Sequence, residues 1–145
     1  MNVQSILSTK GTAVATIASE ATLSDAVATL RDHGVGALVV SDDGSTINGI
    51  LSERDVVRSI AAHGAPALDT AVGAAMSANV VTCQPADTVD RLMAMMTERR
   101  IRHVPVLDSD GTMAGIISIG DVVKFRVGEL ESENANLHNY IQGRA

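Results

Sequence analysis

The segment GILSERDVV at residues 49–57 returns as GIISIGDVV at residues 115–123, 66 positions further along the chain. Both copies follow the pattern Gly-Ile-x-Ser-x-x-Asp-Val-Val. The apolar residues before the serine predict a strand, and the Ser-x-x-Asp that follows predicts the first turn of a helix. The chain therefore contains the same strand-to-helix junction twice, and each junction carries one serine and one aspartate.

The repetition extends on both sides of these segments, because Val14 to Arg58 aligns without a gap with Val80 to Lys124. The period is longer than that of the common solenoid repeats, and two copies indicate a paired module with a pseudo-two-fold axis. Each half holds about 60 residues, which is marginal for independent folding. We therefore expect the two halves to fold together across a shared interface.

Each copy predicts the element order β-α-β-β-α, so the fold class is α+β. Thr22 and Asp25 predict a capping box ahead of the first helix, which Gly34 ends. Apolar runs bounded by turns predict the strands. The predicted elements are strands at 14–17, 35–40, 47–52, 80–83, 101–107 and 113–118, and helices at 22–34, from Asp55 to about Ala62, around 89–96 and from near Asp121.

These elements divide the chain into three parts. We expect the first repeat at residues 3–66, the second repeat at residues 67–127 and a C-terminal helical extension at residues 128–145. The segment 63–79 links the repeats and contains one predicted helical turn, around residues 70–75.

The composition argues against several functional classes. With a formal net charge of −6 and a pI of about 5.0, the chain is poorly suited to bind nucleic acid or an anionic membrane. No run approaches the ~18 apolar residues of a membrane-spanning helix, and the N-terminus lacks the layout of a secretory signal. The single cysteine, Cys83, fits a reducing compartment, so we expect a cytoplasmic protein.

The sequence assembles neither a catalytic site nor a metal site. The four histidines are far apart and show no metal-ligand spacing. The motifs of a nucleophile elbow, a phosphate loop and a paired-cysteine site are missing. We therefore expect no metal and no enzymatic activity. Because the chain has one Phe, one Tyr and no Trp, a bound base would lie on aliphatic side chains.

The repeated junction suits a nucleoside monophosphate. The N–H groups and the positive dipole end of a helix N-terminus favour a phosphate, to which Ser52 or Ser118 can donate a hydrogen bond. An ionised carboxylate only accepts hydrogen bonds, so Asp55 or Asp121 suits the two hydroxyls of a ribose. The junction thus offers complementary groups to the two polar ends of such a ligand.

The same residues also describe a purely structural motif. Ser-x-x-Asp is a capping box of the acidic kind, which satisfies backbone donors and stabilises a helix by about 1 kcal/mol. A cap does not require a glycine three positions before the serine, yet both copies have one, Gly49 and Gly115. Such a glycine admits the close approach of a ligand or of another backbone segment. Both interpretations therefore stay open at this point.

A phosphate beside an aspartate needs a nearby cation, and the two copies differ in what they supply. The second copy has RRIRH at residues 99–103 and Lys124, whereas the aligned HGVGA at residues 33–37 is almost uncharged. Arg54 and Arg58 could contribute from the helix of the first copy. We therefore expect the junction of the second copy to bind phosphate better.

Within RRIRH the individual residues have different interpretations. Arg99 and Arg100 are interpreted as solvated residues at a helix C-terminus. Arg102, which aligns with Gly36, is a candidate phosphate ligand because it lies in an alternating strand. His103 either faces the ligand or caps the sheet edge.

From about Val3 to Val127 the sequence resembles a tandem pair of CBS domains, named for cystathionine β-synthase and also called a Bateman module. The resemblance lies in the doubled β-α-β-β-α order, in VGALVV and HVPVL as central strands, and in GILSERDVV and GIISIGDVV. It implies two repeats packed sheet to sheet and two clefts that bind adenosine compounds. AMP is the ligand expected first, with ADP, ATP, NAD or S-adenosylmethionine as the others.

By the same resemblance, each cleft takes residues from both repeats. One cleft would hold ribose and phosphate through Arg102, Ser118 and Asp121, completed near the base by Lys10 and Ala15. The other would combine Ser52 and Asp55 with Met76 and Val81. Because Gly36 stands where the second repeat has Arg102, this other cleft would be empty or would take a different adenosine ligand.

The C-terminal region continues as a helical pattern with heptad spacing. Asn134 at an a position is a device that fixes register and two-strandedness, whereas Gly128 costs about 1 kcal/mol inside a helix. The alternatives are a contact with the partner in a homodimer, a helix folded onto the body of the module, and a free coiled coil, of which we favour the first. The seam consists of Val123, Val127, Leu130, Asn134, Leu137 and Ile141.

Three functions follow as hypotheses. The first is a free-standing, non-catalytic sensor that binds an adenosine nucleotide and passes its ligand state to a protein target that the sequence does not name. The second is a structural or protein-interaction module with vestigial clefts. The third, an enzyme or a binder of single-stranded nucleic acid, lacks catalytic groups in one case and stacking aromatics in the other.

Overall fold

The computed structural model describes residues 1–142, so the predicted C-terminal extension is described up to residue 142 and its last three positions lie outside. The N-terminal half contains α1 (Val3–Lys10), β1 (Thr16–Ile17), α2 (Leu23–His33), β2 (Ala37–Val40), β3 (Gly49–Ser52) and α3 (Glu53–His63). A 3₁₀ turn (Ala65–Asp69) follows, and then α4 (Val72–Ala75), α5 (Val89–Arg99), β4 (His103–Leu107), β5 (Met113–Ser118) and α6 (Ile119–Ile141).

The first repeat forms a three-stranded sheet in the order β1-β2-β3. β1 is parallel to β2, and β2 is antiparallel to β3. The turn between β2 and β3 is held by Asp43, whose carboxylate accepts hydrogen bonds from Thr46 and Ser45. These hydrogen bonds, led by the one from the Thr46 backbone, hold the pKa of Asp43 well below its usual range.

The second repeat keeps only two strands, β4 and β5, in antiparallel pairing. The strand predicted at 80–83 is reduced to one parallel bridge, between Cys83 and Val106. In the first repeat, Val39 N donates to Ala15 O at 3.1 Å. The residue that aligns with Val39 is Pro105, which has no N–H to donate, so this hydrogen bond has no counterpart and the strand does not extend.

Three helices begin with a complete capping box. The pairs Thr22 with Asp25, Ser52 with Asp55 and Ser118 with Asp121 each exchange side-chain and backbone hydrogen bonds, as predicted for the first pair. The serines are the N-caps, so α3 and α6 begin at Glu53 and Ile119, two residues before the predicted starts. Ser-x-x-Asp therefore acts as a cap in both copies.

Helix α1 was not predicted from the sequence, and it completes the second repeat rather than the first. Asn2 caps it by accepting from Ser5 N at 3.1 Å, and Val3 N donates to Asp87 O at 2.9 Å. Its apolar face enters the core of the second repeat. That core consists of Val3, Ile6 and Leu7 with Cys83, Val89, Leu92, Met96, Val104, Val106, Ile117 and Val122.

The linker makes the reciprocal contribution to the first repeat. Ala67 and Val72, from the 3₁₀ turn and α4, are fully buried in the core of the first repeat, together with Leu23, Leu38 and Leu51. The helix that precedes each repeat along the chain thus packs on the other repeat. This exchange explains why neither half is a self-contained unit.

The long helix α6 confirms the predicted C-terminal helix. Its seam residues are largely exposed: Val123 by 54%, Leu130 by 58% and Ile141 by 72%. Packing within the chain therefore covers little of this apolar stripe. Among the helices of residues 1–142, none has the length and apolar character needed to cross a membrane.

Candidate functional site

A cavity lies where the junction of β3 and α3 faces the chain that enters the second repeat. It has a volume of about 510 Å³. Its walls are the β3–α3 junction, the linker at 77–81 and the segment 99–103 between α5 and β4. We call it the Ser52/Asp55 cleft. It contains aliphatic surface from Ile50, Val80, Val81 and Ile101, against which a base can pack.

The capping box at this cleft leaves one carboxylate oxygen uncommitted. Ser52 donates to Asp55 Oδ2 through its backbone N at 2.9 Å and its Oγ at 3.1 Å, and Asp55 N donates to Ser52 Oγ at 3.3 Å. Within residues 1–142, the hydrogen bonds of the Asp55 carboxylate all use Oδ2. Oδ1 of this half-buried residue can therefore accept from a hydroxyl of a ligand while the cap stays intact.

The glycine of the repeated motif serves the backbone. A Cβ at Gly49 would lie 2.5 Å from Met76 Sδ and 2.9 Å from the Ser77 carbonyl oxygen. Ser77 N and O also exchange hydrogen bonds with Ile50 O and N, at 2.9 and 3.0 Å. Of the two roles that the sequence left open for this glycine, the structure shows the close approach of another backbone segment.

Gly36 and His103 lie next to each other in the lining of the cleft. A Cβ at Gly36 would lie 2.8 Å from Glu53 Oε1 and 3.2 Å from His103 Cε1, so the missing side chain makes room for the imidazole. Burial lowers the pKa of His103, the charges of Lys10 and Arg102 lower it further, and those of Asp121 and Glu53 oppose them. The half-buried imidazole lines the cleft, in keeping with the ligand-facing alternative.

Five arginines surround the same cleft: Arg54, Arg58, Arg99, Arg100 and Arg102. Arg99 and Arg100 are exposed at the end of α5, as expected, but they also line the cavity. The alignment offers a signal for Arg100 alone, since it stands where the first repeat has Gly34, and an arginine in place of a C-terminal glycine is an unusual choice.

The second junction is occupied by a residue of the chain itself. Lys10 Nζ donates to Asp121 Oδ2 at 2.6 Å and to the Ile116 carbonyl oxygen at 2.5 Å. Ser118 N also donates to Asp121 Oδ2, at 2.8 Å. Burial acts to raise the pKa of Asp121, but the hydrogen bonds from Lys10 and Ser118 outweigh it and hold this pKa below its usual value.

The structure distributes the predicted site residues over both junctions, and Arg102 borders both. Arg102 lines the Ser52/Asp55 cleft, and its carbonyl oxygen accepts a hydrogen bond from Ile119 N, beside Ser118, with which the resemblance grouped it. The cleft takes Arg102 because the chain from Arg99 to His103 forms one of its walls. The predicted residues that line the cleft are Gly36, Ser52, Asp55, Val81, Arg102 and His103. Lys10 lies with Ser118 and Asp121. Two predicted residues pack against the core of the first repeat, Ala15 and Met76.

A nucleophile or metal centre does not emerge from the geometry. Burial raises the pKa of the Cys83 thiol to about 12, so it stays protonated in the core. In the part of the chain that the structure describes, no three His, Cys, Asp or Glu side chains are arranged to hold a metal ion. The cleft offers hydrogen-bond acceptors, positive charge and aliphatic surface, which together suit the binding of an organic anion.

Comparisons with known proteins give matches over most of the chain. The sequence model of the CBS domain matches residues 3–62 and 72–128. The CBS domain-containing protein CBSX3, mitochondrial, of Arabidopsis thaliana is 43% identical over 126 residues, which are 84% of this chain and 61% of that protein. The chain thus spans less than two thirds of the length of this curated relative.

Solved structures share the fold. The CBS-domain containing protein ATU1752 from Agrobacterium tumefaciens matches with a TM-score of 0.82 at 47% identity, over 86% of this chain and 98% of that chain. The CBS domain protein PAE2072 from Pyrobaculum aerophilum, complexed with AMP, matches with a TM-score of 0.74 at 24% identity, over 83% and 89% of the two chains. These matches confirm the predicted resemblance and the α+β fold with its C-terminal helix.

Proposed function

The chain belongs to the CBS domain family, as a tandem pair of CBS domains, and on this premise we propose that it is a non-catalytic regulatory protein that binds an adenosine nucleotide in the Ser52/Asp55 cleft. The observation that carries the proposal is the combination, in one cavity of about 510 Å³, of an uncommitted carboxylate oxygen, five arginines and aliphatic walls.

Each part of a nucleotide has a matching group in this cleft. Asp55 Oδ1 accepts from a ribose hydroxyl, the arginines face the phosphate, and Ile50, Val80 and Val81 contact the base. The protein PAE2072, which shares the fold, is complexed with AMP. At 24% identity that likeness concerns the fold alone, so the proposal rests on the residues of this chain.

We assign the two junctions different roles. At the second junction Lys10 neutralises Asp121 and occupies the space beside it, so a ligand there must displace the Lys10 ammonium. We therefore propose the reverse of the order of affinity expected from the sequence, with the Ser52/Asp55 cleft as the primary site.

The proposal is tested by thermal unfolding of the full chain with AMP, ADP, ATP and NAD. A ligand at 100 times its dissociation constant stabilises a folded protein by about 2.7 kcal/mol. For a domain of this size that raises the melting temperature by about 9 °C. The double variant Ser52→Ala with Asp55→Ala should lose this response, whereas the matched variant Ser118→Ala with Asp121→Ala should keep it.

The second candidate function is a structural or protein-interaction module with vestigial clefts. The capping boxes favour it, because they explain both Ser-x-x-Asp pairs without any ligand. It predicts no shift of melting temperature with any of the four nucleotides, and a loss of about 1 kcal/mol for either serine-to-alanine change. Absence of a shift in the wild-type chain would therefore select this candidate.

A regulatory role requires a protein target, and a homodimer is the assembly that we propose for delivering the signal. The exposed seam of α6, from Val123 to Ile141, is the proposed contact with a second copy. Sedimentation velocity of the chain and of Leu130→Glu measures this, with a dimer expected for the first and a monomer for the second. A cytoplasmic location also stays a proposal; the name of the Arabidopsis relative includes the word mitochondrial.

A further inference from the structure

The arginine tract beside the cleft includes a backbone conformation that an arginine rarely adopts. Arg100 ends α5 with φ 53° and ψ 43°, in the left-handed region. Gly34, the aligned residue of the first repeat, ends α2 in the same region with φ 62° and ψ 37°. Glycine adopts this conformation without cost, whereas a residue with a Cβ is strained in it. Strain of this kind is typical of functional sites, and here it is borne by a residue that lines the cavity.

The positive charge around the cleft is not neutralised by the chain. Five of the 11 basic residues of an otherwise acidic protein line this one cavity, against the carboxylates of Glu53 and Asp55. Among residues 1–142, the ion pairs of the structure involve Lys10, Arg31, Arg91 and Arg126, and none of the five cleft arginines. The five guanidinium groups are therefore available to pair with a bound anion.

A second cavity adjoins the cleft and shares three arginines with it. A cavity of about 490 Å³ is lined by Arg54, Arg100 and Arg102, which also line the Ser52/Asp55 cleft. Its other walls come from Met96, Thr97, Ile101 and Ile119. A ligand held at Asp55 by its ribose can thus extend its phosphates past three shared guanidinium groups.

From these observations we propose that the Ser52/Asp55 cleft selects adenosine ligands by their phosphate number, and that it takes the di- or triphosphate in preference to the monophosphate. The inference rests on the proposed function, because it concerns the ligand of the same cleft. It also excludes a cationic adenosine compound such as S-adenosylmethionine, whose sulfonium and ammonium groups would add to the unbalanced positive charge.

The expected selectivity follows from the additional contacts of each phosphate. A hydrogen bond to a charged group that is gained in full corresponds to about a tenfold gain in affinity. The guanidinium fork can donate two parallel hydrogen bonds to one phosphate. Because the arginines are exposed, salt screens part of this gain. We therefore expect ATP to bind at least about tenfold more tightly than AMP at low ionic strength.

Isothermal titration calorimetry of the full chain tests the proposal, with AMP, ADP, ATP and S-adenosylmethionine as ligands in buffer containing EDTA. The expected order of affinity is ATP, ADP, AMP and finally S-adenosylmethionine. Raising the salt concentration should weaken ATP binding more than AMP binding. This salt comparison uses the wild-type chain only, so it does not depend on the folding of any variant.

A second experiment replaces arginines of the second repeat by the aligned residues of the first repeat. Arg100→Gly with Arg102→Gly gives the second repeat the glycines found at Gly34 and Gly36, and should reduce the ratio of ATP to AMP affinity to nearly one. Arg100→Gly alone should lower ATP affinity while it raises the melting temperature by about 3 °C, since it relieves the left-handed strain. Arg91→Ser matches the charge change of Arg100→Gly alone: it lies on α5, outside both cavities, and should leave the ratio of ATP to AMP affinity unchanged.

The outcomes separate the proposal from the function on which it rests. If AMP binds as tightly as ATP, or if Arg91→Ser reduces the ratio as much as the glycine variants do, the selectivity is wrong while the adenosine site remains. If none of the four ligands binds, both the site and its selectivity are refuted. Preference for ATP that the glycine variants abolish and the control retains supports the proposal.

Discussion

Lys10 is the residue at which the two junctions differ most in chemistry. It aligns with Met76, so one repeat places an ammonium beside its capping aspartate and the other places a thioether beside Gly49. Lys10→Met makes the two alike. We expect this change to destabilise the chain by about 1 kcal/mol at pH 7, a value kept small because both side chains are partly exposed, at 29% and 22%. Urea denaturation measures the difference.

The pH dependence of the stability that the Lys10–Asp121 pair contributes provides the control for the Lys10→Met prediction. The pKa of Asp121 is lowered in the folded chain, so its contribution to stability is complete above the unfolded value of about 4 and is lost as the pH falls through the folded value. As the pH falls below about 4 the Asp121 carboxylate becomes protonated, and the stability difference between Lys10→Met and the wild type should shrink. A difference of the same size at pH 7 and pH 2 would show that lost packing, and not the ion pair, is responsible.

The two motif glycines should differ in their tolerance of a methyl group. At Gly49 the added Cβ meets Met76 Sδ at 2.5 Å and the Ser77 carbonyl oxygen at 2.9 Å, and the latter is backbone. At Gly115 it meets Leu7 Cδ2 at 2.7 Å, the end of a side chain that can move. We expect Gly49→Ala to cost about 1–3 kcal/mol and Gly115→Ala clearly less. Paired thermal unfolding checks the order, and equal costs would contradict the distinction.

At the scale of the elements, helix α6 contains a glycine whose replacement should raise the stability of the chain. Gly128 lies in the helix interior, and a Cβ built there has nothing within 4 Å. Gly128→Ala should therefore stabilise the chain by roughly 0.5–1 kcal/mol, because alanine loses less backbone freedom on folding. Gly34→Ala, with equally open space but φ +62°, is the matched control and should destabilise. Chemical denaturation of both variants should give opposite signs.

The elements also show where the sequence was informative. Ser52 and Ser118 define helix starts through bonds that span only three residues, so the local pattern sufficed. Helix α1 had a local signal in the Asn2 cap and in the helical spacing of Val3, Ile6 and Leu7, and this signal was missed. That the helix fills a core formed by residues 83–122 is reported by no local pattern. The loss of the strand at 80–83 could have been foreseen from Pro105, which lacks the N–H that its aligned Val39 uses.

For the candidate site, the sequence identified the binding groups better than their grouping. Ser52, Asp55 and Val81 line one cleft as expected. Arg102 lines that cleft too, because the wall to which it belongs turns toward the first repeat, a property of the tertiary fold. The ion pair of Lys10 with Asp121 joins residues 111 positions apart. The family resemblance placed Lys10 in the same cleft as Asp121, but the direct ion pair between them is set by the whole fold, and spacing in the sequence does not reveal it.

At the scale of the whole molecule, the exchange of helices between repeats makes the two halves interdependent. A fragment of residues 67–145 lacks α1 and therefore lacks the buried side chains Val3, Ile6 and Leu7 of its own core. Loss of even one such side chain costs about 2–5 kcal/mol, which is a large fraction of the stability of a small domain. We expect this fragment to be unfolded by circular dichroism and by amide hydrogen exchange.

Adding a synthetic peptide of residues 1–11 to the fragment of residues 67–145 supplies the missing helix. It should restore structure to the fragment in a concentration-dependent way, whereas the same peptide with Ile6→Asp should not. A fragment that folds unaided with the melting temperature of the full chain would contradict the interdependence.

The placement of α1 also has a consequence for how the protein is made. Helix α1 is translated before the residues against which it packs, which include Ile117 and Val122. At 5–20 residues per second, the interval between translation of Lys10 and Val122 is roughly 6 to 22 s. During this time the nascent chain exposes the apolar face of α1, to which a chaperone can bind. Helix α1 thus reaches its final position only after the second repeat has been translated.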